Sequence, residues 1–187
     1  MQIQSTNNVQ FGAKLISPAT IKVKAGKRWK EAQVNFIKFD TSKPRDTYFL
    51  EGVEALWGGK NLSSGITEEA HILGGNAQIY GLTTQNSNFD VVDAHQVLGL
   101  MSTDKITKGK PEVEIFKIGT KPQYAYAQNK RKRDVKHIAK SMYEAFKNLA
   151  AKSKSEPVVS YADPEDLKFL AKVGIEPNSK EVIELLG

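Results

Sequence analysis

The chain has 187 residues, a net charge of +6 and no cysteine. Its length suits one domain, and a content of 40% hydrophobic and 26% charged residues is typical of a globular protein in water. The lack of cysteine excludes disulfides, thiolate metal sites and cysteine nucleophiles. No apolar run is long enough to span a membrane and no secretory signal opens the chain, so we expect a cytoplasmic protein without a membrane partner. His71, His95 and His137 show no metal-ligand spacing, and we expect no metal site.

The first part of the chain contains one extended and two helical patterns. Residues 1–31 are predicted to form an N-terminal arm or edge segment, and residues 32–187 a single domain. Residues 33–39 alternate apolar and polar side chains, which predicts a strand. Pro44 begins a predicted helix that ends at Gly58 and Gly59, and a shorter helix is expected over residues 67–73. The apolar residues of the first helix recur at helical spacing: Tyr48, Leu50, Val53, Leu56 and Trp57.

Four strands, two further helices and a last helical turn or two are predicted in the second part. Residues 77–84, 96–101 and 113–118 are predicted to be strands, and the last two are expected to form a hairpin. The longest predicted helix covers residues 134–152, with one apolar stripe formed by Val135, Ile138, Met142, Phe146 and Leu149. A short strand at 157–162, a helix from Pro164 to Gly174 and a last helical turn or two at 179–186 complete the pattern. This order predicts an α+β fold with a mixed, mostly antiparallel central sheet flanked by helices.

The basic excess of the chain favours an anionic partner such as a nucleotide cofactor, a nucleic acid or an acidic protein. Its densest part is the run Lys-Arg-Lys-Arg at residues 130–133, which lies between a predicted strand and a predicted helix. The free N–H groups and the dipole of a helix N-terminus favour an anion there. Three interpretations of the run remain open: a pyrophosphate clamp, a solvated basic turn, and a contact with nucleic acid or acidic protein.

The order of elements and the closing run Phe-Leu-Ala-Lys-Val-Gly-Ile at residues 169–175 resemble the GNAT N-acetyltransferases. In that family the strand before the long helix splays from its neighbour and offers backbone groups to the pantetheine arm of acetyl-CoA. Phe169, Lys172 and Gly174 match the family's closing motif. The Tyr that often serves the family as general acid falls on Leu170, whose side chain cannot donate a proton.

The phosphate loop of the family, Arg/Gln-x-x-Gly-x-Gly/Ala, aligns with the start of the predicted long helix. Ala139 is permitted by the pattern, His137 replaces its first Gly, Asp134 occupies the Arg/Gln position, and Arg133 lies one residue earlier. The resemblance implies acetyl-CoA as the acyl donor. The residues it assigns to the cofactor are Ile118, Gly119, Arg133, Lys136, His137, Ile138, Ala139, Lys140, Asp166 and Lys172.

The resemblance implies an acyl-CoA-dependent N-acyltransferase, in which an amine of unknown identity attacks the thioester directly. Glu114 is a candidate base and Tyr124 a candidate acid. The alternative for Glu114 is a solvated strand residue, and for Tyr124 a packing role. Two other functions stay open for the whole chain: a catalytically inactive GNAT-fold protein that binds CoA or a partner, and a basic nucleic-acid-binding protein.

Overall fold

A computed structural model describes residues 13–58, 77–84, 93–125, 133–159 and 167–176. Within these ranges one curled sheet of seven strands has helices on both faces, so the predicted α+β fold with a mostly antiparallel sheet is confirmed. The strands are β1 Lys14–Ala25, β2 Arg28–Lys38, β3 Gln78–Thr84, β4 Val97–Thr103, β5 Glu112–Thr120, β6 Val135–Lys136 and β7 Glu156–Val158. The helices are α1 Pro44–Leu56, α2 Ile138–Ala151 and α3 Leu167–Val173. The spatial order of the strands is β6-β1-β2-β3-β4-β5-β7.

Strands β1 and β2 form a long antiparallel hairpin. Ala25 pairs with Arg28 across a turn in which Gly26 has φ 63°, a conformation that Gly adopts without a Cβ clash. The hairpin runs from this turn to the pair Lys14 and Lys38, and β2 pairs with β3 only from Val34 onward. Residues 1–31 are predicted to form an arm or edge segment. Most of the described part of that segment is strand β1, and residue 31 lies inside β2.

The two faces of the sheet are covered by different helices. Helix α2 packs on one face, where Met142 and Phe146 are fully buried against a core that also receives Leu170 and Val173 of α3. Helix α1 packs on the opposite face, where the second core contains Ile37, Phe39, Leu50, Val53, Trp57 and Leu100. The predicted helix beginning at Pro44 is confirmed. Proline suits the first turn of a helix, because the N–H group that it lacks would have no acceptor there.

Helix α2 begins at Ile138, four residues later than the predicted start at residue 134. Val135 and Lys136 instead form β6, which pairs with Val23 and Lys22 of β1. Val135 is buried in either arrangement, so its apolar character fits the helical stripe equally well. The backbone of Val135 and Lys136 forms hydrogen bonds with the edge of β1, a partner that the sequence pattern does not reveal. This pairing decides where α2 begins.

Strand β5 has two irregular features along its length. It pairs with β7 in parallel at only three positions, Glu112 to Glu114. Beyond Glu114, no other strand of the described residues pairs with this edge of β5. Opposite β4, Ser102 pairs with Lys117 and Thr103 pairs with Ile115, which leaves Phe116 as the extra residue of a β-bulge. The pairing of β5 with β7 thus ends two residues before the bulge.

The C-terminal elements lie only partly within the described residues. β7 covers the beginning of the predicted strand, and α3 ends at Gly174, whose φ of 90° suits a helix C-terminus. The predicted helical segments at 67–73 and 179–186 lie outside the described residues, as does the start of the last helix near Pro164.

Candidate functional site

A pocket of about 270 Å³ opens at the N-terminus of α2. It lies where β5 ends and where β6 passes into the helix, with α3 forming one wall. The residues that line it are Thr120, Tyr124, Arg133, Val135, Lys136, His137, Ile138, Ala139, Lys140, Phe169, Lys172 and Val173. The pocket therefore combines four cationic side chains with an apolar floor and the free end of a helix.

The start of α2 provides this pocket with hydrogen-bond donors. His137 accepts the first bond of the helix from Ser141, at 2.8 Å between nitrogen and oxygen. The N–H groups of the first turn have no acceptor further back in the helix. No acidic side chain lies in that turn. The helix end, with the cations Arg133 and Lys140 beside it, consequently makes a site for an anion.

His137 stands at the N-cap with φ 68° and ψ 19°, the left-handed region. Histidine is one of the few side chains enriched there, although glycine adopts this backbone with less strain. Burial and then the positive charges of Lys22, Lys140, Lys136 and Arg133 lower the pKa of His137 below its usual 6.5. In the unliganded protein the imidazole is thus held in its neutral form near neutral pH, and an anion beside it would favour protonation.

The pocket brings together most of the residues that the sequence assigned to an anionic cofactor. Six of these residues lie in the segment from 133 to 140, where they follow one another along β6 and the first turn of α2. Lys172 reaches the same pocket from α3, and Tyr124 from a short 3₁₀ turn, Pro122–Tyr124. Of the basic run at 130–133 the structure describes only Arg133, and Asp166 lies outside the described residues.

Three predicted site residues do not line this pocket. Ile118 is a buried core residue facing α2, and Gly119 pairs with Leu100 of β4. Glu114 lies near the start of β5, six residues before Thr120, and its carbonyl accepts a hydrogen bond of 2.8 Å from the N–H of Asp104. A strand rises about 3.4 Å per residue, so Glu114 lies roughly 20 Å from the pocket end of β5.

Phe169 and Leu170 lie on different sides of α3. Phe169 lines the pocket, whereas Leu170 is only 5% exposed and belongs to the core beneath α2. Leu170 is therefore a packing residue of the core. Tyr124 is the hydroxyl-bearing aromatic side chain that lines the pocket among the described residues.

The sequence did not indicate that Thr120, Val135 and Val173 line the pocket. The sequence predicts Val135 inside the long helix, whereas its pairing with Val23 joins residues more than a hundred positions apart. The segment from Asp134 to His137 has one apolar residue among polar ones, a pattern that fits a short strand as well as a helix. No local pattern reveals which edge it joins.

Some arrangements are absent from the described residues. In those ranges no three His, Asp or Glu side chains are grouped so that they hold a metal ion. Among the helices that the structure describes, none has the length and apolar character needed to cross a bilayer. Comparison with known proteins adds no relative: no family model matches the chain, and no curated protein or solved structure matches it significantly.

Proposed function

We propose that this protein is an acyl-CoA-dependent N-acyltransferase of the GNAT type, transferring an acetyl group from acetyl-CoA to an amine. The observation that carries the proposal is the pocket at the N-terminus of α2, lined by Arg133, Lys136, Lys140 and Lys172. It lies at the C-terminal end of β5, beyond the three residues of β5 that pair with β7. A cofactor with phosphates at one end and a thin arm at the other fits such a combination.

The pyrophosphate of CoA would occupy the free helix end. The N–H groups of the first turn of α2 supply donors without side-chain rearrangement, and Lys140 adds charge from the helix itself. His137 contributes its backbone at the position where the family pattern has Gly. Its imidazole gains a proton when an anion binds, which adds a charge-assisted hydrogen bond to the same group.

The pantetheine arm would follow the edge of β5 that lies on the β7 side. From Ile115 to Thr120 this edge has no strand partner within the described residues, and we assign its backbone donors and acceptors to the arm. The thioester oxygen would accept a hydrogen bond from a backbone N–H of this edge near Ile118 or Gly119, the residues that the resemblance assigns to the cofactor. The amine would then attack the carbonyl carbon directly, and the thiolate of CoA would leave.

Two side chains are placed to move protons in this scheme. Glu114 lies four residues before Ile118 on the same strand, roughly 14 Å along it, and would accept the proton of the incoming amine through water. Tyr124 lies in the pocket wall near the end of β5, on the side from which the arm enters, and its hydroxyl is a donor to the departing thiolate. Both are half-buried, which leaves them accessible from the opening.

The test is calorimetric titration of the protein with acetyl-CoA at low and moderate salt. We expect one-to-one binding with micromolar affinity, and about a tenfold loss in Lys140→Gln because one charge-assisted contact is removed. Lys147→Gln is the matched control, since Lys147 is exposed on the same helix two turns further on. No heat of binding, or equal losses in both variants, would reject a CoA site at this helix end.

A second candidate is a GNAT-fold protein that binds CoA without turnover. The burial of Leu170 favours it, because the usual proton donor of the family has no counterpart at that position. The two functions separate in one assay: acetyl-CoA binding with no CoA released in a panel of primary amines supports the second. Release of CoA that depends on an amine supports the first.

A further inference from the structure

The β1–β2 hairpin carries a concentration of positive charge that the acyl-CoA pocket does not use. Residues 22–30 contain five cations, Lys22, Lys24, Lys27, Arg28 and Lys30, and no carboxylate. Four of them are exposed and Lys22 is half-buried. The turn of the hairpin lies at the same end of the sheet as the start of α2, because Lys22 pairs with Lys136 just before the helix.

The cations of the hairpin point to both faces of the sheet. Ile21 is buried beneath α2. Val23 and Ala25 lie on the same face of β1, because side chains alternate along a strand. Their partners in β2, Lys30 and Arg28, therefore lie on that face as well. Lys24 pairs with Trp29 on the opposite face, and Lys22 pairs there with Glu31 and Lys136. Positive charge therefore surrounds the tip of the hairpin instead of forming one stripe.

No carboxylate of the described residues forms an ion pair with Lys24, Lys27, Arg28 or Lys30, although Glu31 and Asp134 lie near them. The ion pairs of Lys43 with Asp40 and of Lys110 with Asp104 lie beyond the other ends of the strands. Glu31 is opposite Lys22 without forming an ion pair with it. Clustered cations repel one another, so this arrangement lowers the stability of the free protein and favours a polyanion.

Two observations indicate the kind of polyanion. The Lys136 ammonium lies 3.8 Å from the centroid of the Trp29 ring, so a cation–π contact occupies the ring face on which an unpaired base would stack. The exposed large apolar side chains of the described residues are Leu15, Tyr48 and Leu56, none at the hairpin tip. A protein partner would normally require an apolar centre for the interface, whereas duplex DNA is bound through a polar, strongly basic one.

We propose that the tip of the β1–β2 hairpin, together with β6, is a docking surface for double-stranded DNA, which it binds through the phosphates without reading the sequence. Lys24, Lys27, Arg28 and Lys30 supply the contacts, and Lys136 connects this surface to the pocket at α2. The proposal does not depend on acyl-CoA binding. It requires only that the hairpin cations are accessible and unpaired, as they are among the described residues.

The test measures fluorescence anisotropy of a labelled DNA duplex of mixed sequence against salt concentration. Each phosphate contact contributes about 0.9 to the slope of log affinity against log salt. Replacing Lys24, Lys27, Arg28 and Lys30 together by Gln is expected to reduce that slope by about 3 to 4 and to weaken binding at low salt at least about tenfold. The matched control replaces four exposed lysines near the opposite end of the sheet by Gln: Lys105, Lys108, Lys147 and Lys152.

The control removes the same net charge, so it distinguishes a located surface from general attraction. We expect it to retain most of the slope, and equal losses in the two variants would overturn the proposal. Single-stranded DNA binding as tightly as the duplex, or polyglutamate displacing the duplex at equal charge, would overturn it as well. Thermal melts monitor folding, and Lys27→Gln with Arg28→Gln, confined to the turn region, repeats the test if the fourfold variant does not fold.

Discussion

The Cγ2 atom of Ile138 lies 2.8 Å from the position that a Cβ atom would take on Gly99. Ile138 is the first residue of α2, and Gly99 lies in β4 opposite Thr120 of β5. The carbonyl of Gly119 is 3.1 Å from the same position and Cε of Met142 is 3.2 Å from it. The absence of a side chain at Gly99 is thus what allows the start of α2, and with it the pocket, to lie directly on the sheet.

Gly99→Ala is expected to lower the free energy of unfolding by about 1–3 kcal/mol, because the methyl group overpacks a site bounded by backbone. Urea unfolding measures the change. Gly52→Ala is the matched control, since Gly52 lies within α1 with no atom near its Cβ position, and the same substitution there should stabilise by about 0.5–1 kcal/mol. A neutral Gly99→Ala would contradict the tight approach of α2.

His137→Gly and His137→Ala should differ in stability by about 1 kcal/mol in favour of Gly, because φ is 68° at this position and only Ala carries a Cβ that clashes there. Thermal or urea unfolding of the two variants measures this difference. Lys154, with φ 60°, offers the same comparison at the other end of α2, outside the pocket. Equal stabilities at residue 137 but not at 154 would show that His137 is not left-handed.

Acidification should destabilise the protein through His137. Its pKa in the folded state is lowered by burial and by neighbouring cations, so folding favours the neutral imidazole. The stabilising contribution is present above the unfolded pKa of 6.5 and is lost as the pH falls through the lowered folded value. Melting temperatures measured from about pH 8 to pH 5 should therefore fall more for the wild type than for His137→Asn, which tolerates the same backbone.

Anion binding should reverse this shift. Pyrophosphate beside His137 would raise its pKa, since an opposite charge favours the protonated form. A proton NMR titration of the imidazole with and without pyrophosphate measures the change, and His137→Asn assigns the resonance. An unchanged titration curve under saturating pyrophosphate would place the anion elsewhere.

Tyr124→Phe should lower amine-dependent release of CoA by roughly a hundredfold while leaving acetyl-CoA affinity within about threefold, if the hydroxyl donates to the thiolate. The ring keeps its place in the pocket wall, so binding and catalysis are separated. Tyr48→Phe, at a side chain that is 72% exposed on α1, should change neither quantity. Full turnover in Tyr124→Phe would mean that water protonates the thiolate.

Leu170→Tyr should lower the free energy of unfolding by about 1–3 kcal/mol and should not restore a catalytic acid. Leu170 is 5% exposed and packs in the core, so a Tyr there overfills the site and buries its hydroxyl. Leu56→Tyr, at an exposed position of α1, is the control and should stay within about 0.5 kcal/mol. Increased turnover in Leu170→Tyr would require α3 to turn its other side to the pocket.

Local patterns predicted those elements whose own residues decide their structure. Met142 and Phe146 are four residues apart, so they lie on the same face of α2. That face packs on the core, and both side chains are fully buried. Pro44 begins α1 and Gly174 ends α3 for reasons internal to the backbone. The antiparallel hairpin of β4 and β5 followed from two alternating segments and a short polar connection.

The sequence by itself therefore determined the type and order of most elements, the α+β class and the basic character of the segment before α2. Tertiary structure alone decided that Val135 and Lys136 join the edge of β1, that His137 adopts the left-handed region, and that Glu114 lies away from the pocket. It also brought the charged β1–β2 hairpin beside that segment. The physical reason is that strand pairing and close packing join residues far apart in the chain, where no local periodicity records the partner.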